Sequence, residues 1–98
     1  MHPDAVPETL TDQAVAEHLA GRPWEREGDA IVRELKFDDF AAAIAFVNRV
    51  AEAADAANHH PDITVHGYNK VKLTLSSHSA GGITEADFQL AGRLDALA

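Results

Sequence analysis

Asn58-His59-His60-Pro61 is the densest grouping of proton-moving side chains in this sequence. Asp55 stands four residues before His59, and His78 and Asp87 follow further on. Imidazole changes charge near neutral pH and can give or take a proton there. Two such groups on opposite sides of a substrate can run an elimination, one protonating a leaving hydroxyl while the other removes a proton. A carboxylate beside them can hold a tautomer or accept hydrogen bonds from a ligand. A plainer reading stands next to this one: a His-His-Pro run after a helix forms a loop, and an imidazole at a helix C-terminus makes a favourable dipole contact. Zinc is a third reading, with His59, His60, His66 and His78 as nitrogen donors. Adjacent histidines rarely aim at one ion, and the chain has neither cysteine nor an HExxH spacing, so no metal is expected.

The surrounding elements must bring these residues together. Residues 1–8, polar and carrying two prolines, read as a flexible N-terminal arm, and 9–98 as a single domain. Thr11 is the expected N-cap of a first helix with Ala14, Val15, His18 and Leu19 at helical spacing, stopped by Gly21 and Pro23. Residues 24–37 read as two short strands about a Gly28-Asp29 turn, with Ile31, Arg33, Leu35 and Phe37 alternating against Val32, Glu34 and Lys36. Asp38 and Asp39 then precede a long helix. Phe40, Ala43, Ile44, Val47, Val50, Ala51 and Ala54 are its expected apolar stripe, and Asn58 its C-terminal residue before Pro61. Residues 63–77 read as two further strands, Val71, Leu73 and Leu75 facing inward, with the bend at Gly67 or Asn69. After a Gly81-Gly82 loop, Thr84-Glu85-Ala86-Asp87 resembles a capping box opening a last helix with Phe88, Leu90, Ala91, Leu94 and Leu97 on its apolar face. Two strand pairs separated by a long helix predict an antiparallel sheet with the helices packed on one face. In that topology the end of the long helix and the end of the last strand share one edge, where the imidazoles and carboxylates converge.

Composition narrows the function classes. The chain has 98 residues, 46% of them hydrophobic, which is one domain's worth of globular sequence. Sixteen acids against eight bases give a net charge of −8, and the bases are scattered singly, so no direct nucleic-acid partner is expected. No apolar run reaches the length of a membrane span, and Met1-His2-Pro3-Asp4 lacks the features of a secretory leader. Without cysteine there is no disulfide framework, and a cytoplasmic setting is the expectation.

The run Asp55-x3-His59-His60-Pro61-x6-Tyr68-x9-His78-x8-Asp87 resembles the signature of the pterin-4a-carbinolamine dehydratases at every fixed position and spacing. Trp24, Gly28-Asp29-Ala30-Ile31, Phe37-Asp38-Asp39-Phe40, Tyr68-Asn69-Lys70-Val71 and Leu75-Ser76-Ser77-His78 are also similar to that family, so the likeness runs from about residue 9 to the end. The resemblance implies a two-layer α+β fold, a four-stranded antiparallel sheet with three helices on one face. It implies loss of water from a 4a-hydroxytetrahydropterin to give the quinonoid dihydropterin, which recycles the cofactor of aromatic amino acid hydroxylases. No cofactor or metal of its own is implied, and a homodimer or homotetramer is. Carried over by position, His59, His60 and His78 would be the catalytic imidazoles. Asn58, Ser76, Ser77 and Ser79 would contact the pterin, with Asp55, Asp87 and Trp24 as further candidates. Asp55 and Asp87 could orient imidazoles, the latter that of His78, although Asp87 is equally a capping residue. Trp24 could stack on the pterin or pack at the core. Asn58 departs from the Asp that many relatives carry: it keeps an acceptor oxygen and loses the charge. The alternative function on the same fold is a non-catalytic protein-binding, assembly or transcriptional co-factor scaffold, which has no need of three imidazoles.

Overall fold

The computed structural model describes residues 8–98; the expected arm at 1–8 lies, except for Glu8, outside the described residues. The elements run α1 (Asp12–Leu19), β1 (Glu25–Glu27), β2 (Ala30–Lys36), α2 (Phe40–Ala57), β3 (Asp62–His66), β4 (Lys70–Leu75) and α3 (Glu85–Asp95). The four strands form one antiparallel sheet in the order β1-β2-β4-β3. The fold is α+β, as the alternation of strand pairs and helices predicts.

Period-two patterning decides which face of the sheet is covered. Ile31, Arg33 and Leu35 of β2 pair with Leu75, Leu73 and Val71 of β4, and Ile63 and Val65 of β3 pair with Leu73 and Val71. These side chains share one face. They pack with Phe46, Val50, Phe88, Leu90 and Leu94 from the helices into the core. The opposite face carries Val32, Glu34, Lys72, Thr64 and His66, laced by Glu34–His66 at 2.9 Å and Glu27–Lys72 at 3.4 Å. Arg33 is the one charged residue in the inward row of β2. Its guanidinium pairs with Asp95 of α3, which also accepts the Trp24 indole N–H at 2.8 Å, so the charge is compensated where it is desolvated.

Helix α2 differs from its expected stripe. Ala43, Phe46, Val50 and Ala54 are its buried residues, whereas Phe40 is 54% exposed and Ala51 is exposed. A three-four repeat read through alanine-rich sequence admits two neighbouring faces. Phe46, at 0% exposure, packs at 5.0 Å against Phe37 and selects the one that meets the sheet. Phe40 is the first residue of the helix and stands outside that contact. Asp39 caps the helix by accepting the Ala42 N–H at 2.8 Å, as the acidic pair before it predicts. Thr11 caps α1 in the same way through Ala14. The β3–β4 bend uses Gly67 and Tyr68, both at positive φ, and buries Asn69, whose side-chain amide donates to the Phe37 carbonyl. Among the described residues no helix is long and apolar enough to cross a membrane.

Candidate active site

The end of α2 delivers the histidine pair. Asn58 adopts the left-handed conformation (φ 50°, ψ 41°) and ends the helix. Its N–H donates to the Asp55 carbonyl and that of His59 to the Ala54 carbonyl, the reciprocal pattern of a Schellman stop. Asparagine tolerates that backbone better than most side chains, so Asn58 serves the turn whatever its side chain does. The chain then reverses into β3, where Asp62 pairs with Thr74. Continuing that register past the strand ends sets the His60-Pro61 segment beside Leu75-Ser76.

The end of β4 delivers the other half. Ser77 bridges to Gly82, with the Ser77 N–H donating to the Gly82 carbonyl at 2.8 Å, and the loop between them holds His78 and Ser79 out at the surface. Gly81 within that loop has φ 77°, a conformation that glycine takes without strain. Leu10 donates to the Ile83 carbonyl, so the segment before α1 straps the short stretch between the loop and α3.

A pocket of about 410 Å3 lies between these two chain ends. His59, His60 and His78 all line it, with Asn58, Ser76, Ser77 and Ser79. Its size is in the range of small-molecule sites. A larger concavity of about 550 Å3 lies beside Trp24, Glu27 and Lys72 and, among the described residues, holds none of the histidines. The proton-moving groups therefore gather in the smaller one. Trp24 lies apart from the histidine pocket. It is 3% exposed, in the core, with its indole N–H committed to Asp95, which is packing rather than a free stacking face.

The two adjacent imidazoles sit in different surroundings. His59 Nε2 lies 2.6 Å from Asp87 Oδ1, with the His59 side chain 19% exposed and that of Asp87 fully buried. Asp87 Oδ2 accepts the Ser77 hydroxyl at 3.0 Å and the Thr84 backbone N–H at 2.8 Å. Ser77 and Thr84 hydroxyls are 2.7 Å apart. With the Ser77 proton given to Asp87, the Thr84 hydroxyl donates to Ser77, and every member of the buried network is satisfied. Asp87 is thus both the capping-box residue of α3 and the partner of an imidazole. That imidazole is His59 rather than His78: the α3 N-terminus packs under the end of α2, while His78 is exposed on the loop. An imidazole that donates Nε2–H to a carboxylate keeps Nδ1 as its acceptor, and the carboxylate fixes that tautomer and the orientation of the ring.

His60 Nε2 lies 2.9 Å from Asp55 Oδ1, and here both side chains are exposed, 59% and 79%. Sequence spacing places Asp55 one turn before His59, but the Schellman stop rotates His59 inward and leaves the next residue beside Asp55. Thr84 is the participant that sequence reading assigns only to the helix cap. The Thr-x-x-Asp spacing carries the signal for that cap, and nothing in it announces the hydroxyl contact to Ser77. Among the described residues no group of three or more His, Cys, Asp or Glu side chains is placed to hold a metal ion.

The family model for pterin 4 alpha carbinolamine dehydratase matches residues 8–97. The chain belongs to that family. A protein of Thermomicrobium roseum provisionally named pterin-4-alpha-carbinolamine dehydratase is 56% identical over 90 residues, 91% of this chain and 96% of the relative. One of Acidobacterium capsulatum with the same provisional name is 51% identical, over 90% of this chain and 96% of its own. Among solved structures, a transcriptional coactivator/pterin dehydratase from Brucella melitensis superposes with a TM-score of 0.86 at 35% identity, covering 93% of this chain and 99% of that one. A pterin dehydratase-like protein described as a RuBisCO assembly factor in the alpha-carboxysome matches with a TM-score of 0.66 at 28% identity, over 80% of this chain and 92% of its own.

Proposed function

We propose that this chain removes water from a 4a-hydroxytetrahydropterin and releases the quinonoid dihydropterin. The observation that carries this reading is the convergence of His59, His60 and His78 on one pocket, with His59 held by a buried carboxylate. The substrate has a hydroxyl on C4a and a proton on the neighbouring N5. As the N5 lone pair drives the C4a–O bond open, the hydroxyl takes a proton and leaves as water. N5 gives up its own proton, and a C4a–N5 double bond remains. His59 Nδ1, backed by Asp87, suits the base that receives the N5 proton. The exposed imidazoles of His60 and His78 suit the donor, because water can recharge them. Asn58, Ser76, Ser77 and Ser79 offer acceptors and hydroxyls to the polar edge of the ring. General acid–base help of this kind accounts for about a hundred- to ten-thousand-fold over the spontaneous reaction.

The reading includes a cytoplasmic setting, a homodimer or homotetramer, and an aromatic amino acid hydroxylase as the source of substrate; family membership supports these. The test is stopped-flow ultraviolet absorbance with chemically generated 4a-hydroxytetrahydropterin, for the intact chain and His78→Ala. Acceleration that falls sharply in the variant is expected. A well-folded sample that gives no acceleration would contradict the reading and favour a protein-binding scaffold, a role suggested by the coactivator and assembly-factor descriptions of the two solved relatives.

A further inference from the structure

A second pocket, of about 210 Å3, adjoins the first, and the two share Ala57, His59 and Ala86 as their common wall. Beyond that wall, Gln89, Leu90 and Arg93 line it. Ala86, Gln89, Leu90 and Arg93 follow the i, i+3, i+4, i+7 spacing and form one face of α3. Leu90 is 1% exposed and makes the floor, while Gln89 and Arg93 are exposed at the rim. The alanines of the wall each present only a methyl group, so His59 is the one large side chain between the two spaces.

Among the described residues, Arg93 is the sole full charge in this lining, in a chain of net charge −8. The other arginines have evident partners: Arg22 donates to the Phe88 carbonyl, Arg26 pairs with Asp12, Arg33 pairs with Asp95, and Arg49 lies over the Phe46 ring. Arg93 makes no ion pair or side-chain hydrogen bond among the described residues. A guanidinium presents a fork of N–H donors that matches a carboxylate or phosphate. A cation in the last turn of a helix also suits the dipole, but a dipole role does not require a pocket continuous with the site.

The chemistry of the proposed substrate links the two spaces, and the inference rests on that reading. N5 is bonded to C6, the carbon that carries the pterin's substituent. A base placed at N5 therefore stands beside that substituent, and here the base is the residue that divides the pockets. We propose that the second pocket receives the C6 substituent and that Arg93, with Gln89, selects substituents ending in an anionic group, a carboxylate or phosphate.

The test is equilibrium binding of three stable ligands to the full chain: 7,8-dihydroneopterin, which ends in a neutral triol, its monophosphate, and dihydrofolate, which ends in carboxylates. The anionic ligands are expected to bind roughly three- to tenfold tighter than the triol, as a partly exposed charge pair allows. The difference should shrink with added salt, collapse in Arg93→Gln, and largely survive in Arg93→Lys. Preference for only one of the two anions identifies which source the pocket takes. Equal binding of all three, or a preference that persists in Arg93→Gln, would overturn the inference while leaving the pterin reading intact. Failure of all three to bind would overturn both.

Discussion

His59 and His60 are neighbours in sequence and each meets a carboxylate through Nε2, yet they belong to different physical regimes. The His59–Asp87 pair is walled into the fold, its carboxylate fully buried and satisfied by Ser77 and Thr84 as well. The His60–Asp55 pair stands in water. In the interior, a charge and its partners are interdependent, and removing one leaves the rest uncompensated. At the surface, water replaces whatever is removed, and such pairs contribute little. The same two residue types therefore stand, one position apart, as a buried pair and an exposed pair, and this difference is what suits them to the separate acceptor and donor roles proposed above.

Asp87→Ala should separate the two regimes most. It deprives His59, Ser77 and the Thr84 N–H of their acceptor at once, and a loss of about 3–5 kcal/mol is expected. For a domain of this size that is on the order of 12–40 °C in midpoint, read by thermal denaturation. Asp87→Asn keeps the shape but cannot serve His59 and the Thr84 N–H equally. Its stability cost should be smaller, while dehydration should still fall about a hundredfold or more, because the imidazole loses the carboxylate that fixes its tautomer and orientation. If Asp87→Asn weakens the fold but spares the rate, Asp87 is a helix cap and no more.

His59→Ala comes next. Dehydration should drop by about a hundredfold or more, and stability by roughly 1–3 kcal/mol, since Asp87 loses one of its donors. His60→Ala should lower the rate with a stability change within about 0.5 kcal/mol, measured by denaturant titration. A large stability loss there would mean that the exposed pair is structurally coupled after all. Asn58→Asp is the smallest expected effect on turnover. Both residues tolerate the left-handed backbone, so the fold should lose no more than about 1 kcal/mol and turnover should be kept.

Much of the architecture behind this contrast is legible in the sequence, and the part that is not has a physical reason. Capping at Thr11, Asp39 and Thr84, the inward row Val71-Leu73-Leu75, and the stop at Asn58 are local effects, each written in neighbouring residues. The convergence of His59, His60 and His78 follows once the strand pairs are arranged as one sheet. The choice between Phe40 and Phe46 on α2 is not local, because alanines on both faces make either stripe apolar enough and only the sheet decides. The partner of Asp87 is not local either. Its spacing suits a helix cap, and the same carboxylate reaches His59 only because the α2 and α3 ends meet. Trp24 illustrates the opposite limit, where an aromatic beside a strand is compatible with a stacking role until its indole N–H is found on Asp95. Arg93 carries no motif, and its interest arises only from the pocket that it lines.

The most direct test of the account is the stopped-flow dehydration rate of Asp87→Asn and Asp55→Asn measured side by side on the same substrate. The two variants make the same chemical change to the partners of two adjacent imidazoles. A loss of about a hundredfold or more is predicted for Asp87→Asn and a change of no more than a few-fold for Asp55→Asn. Equal losses, or the larger loss at Asp55, would contradict the claim that the buried His59–Asp87 pair is the working base of the site.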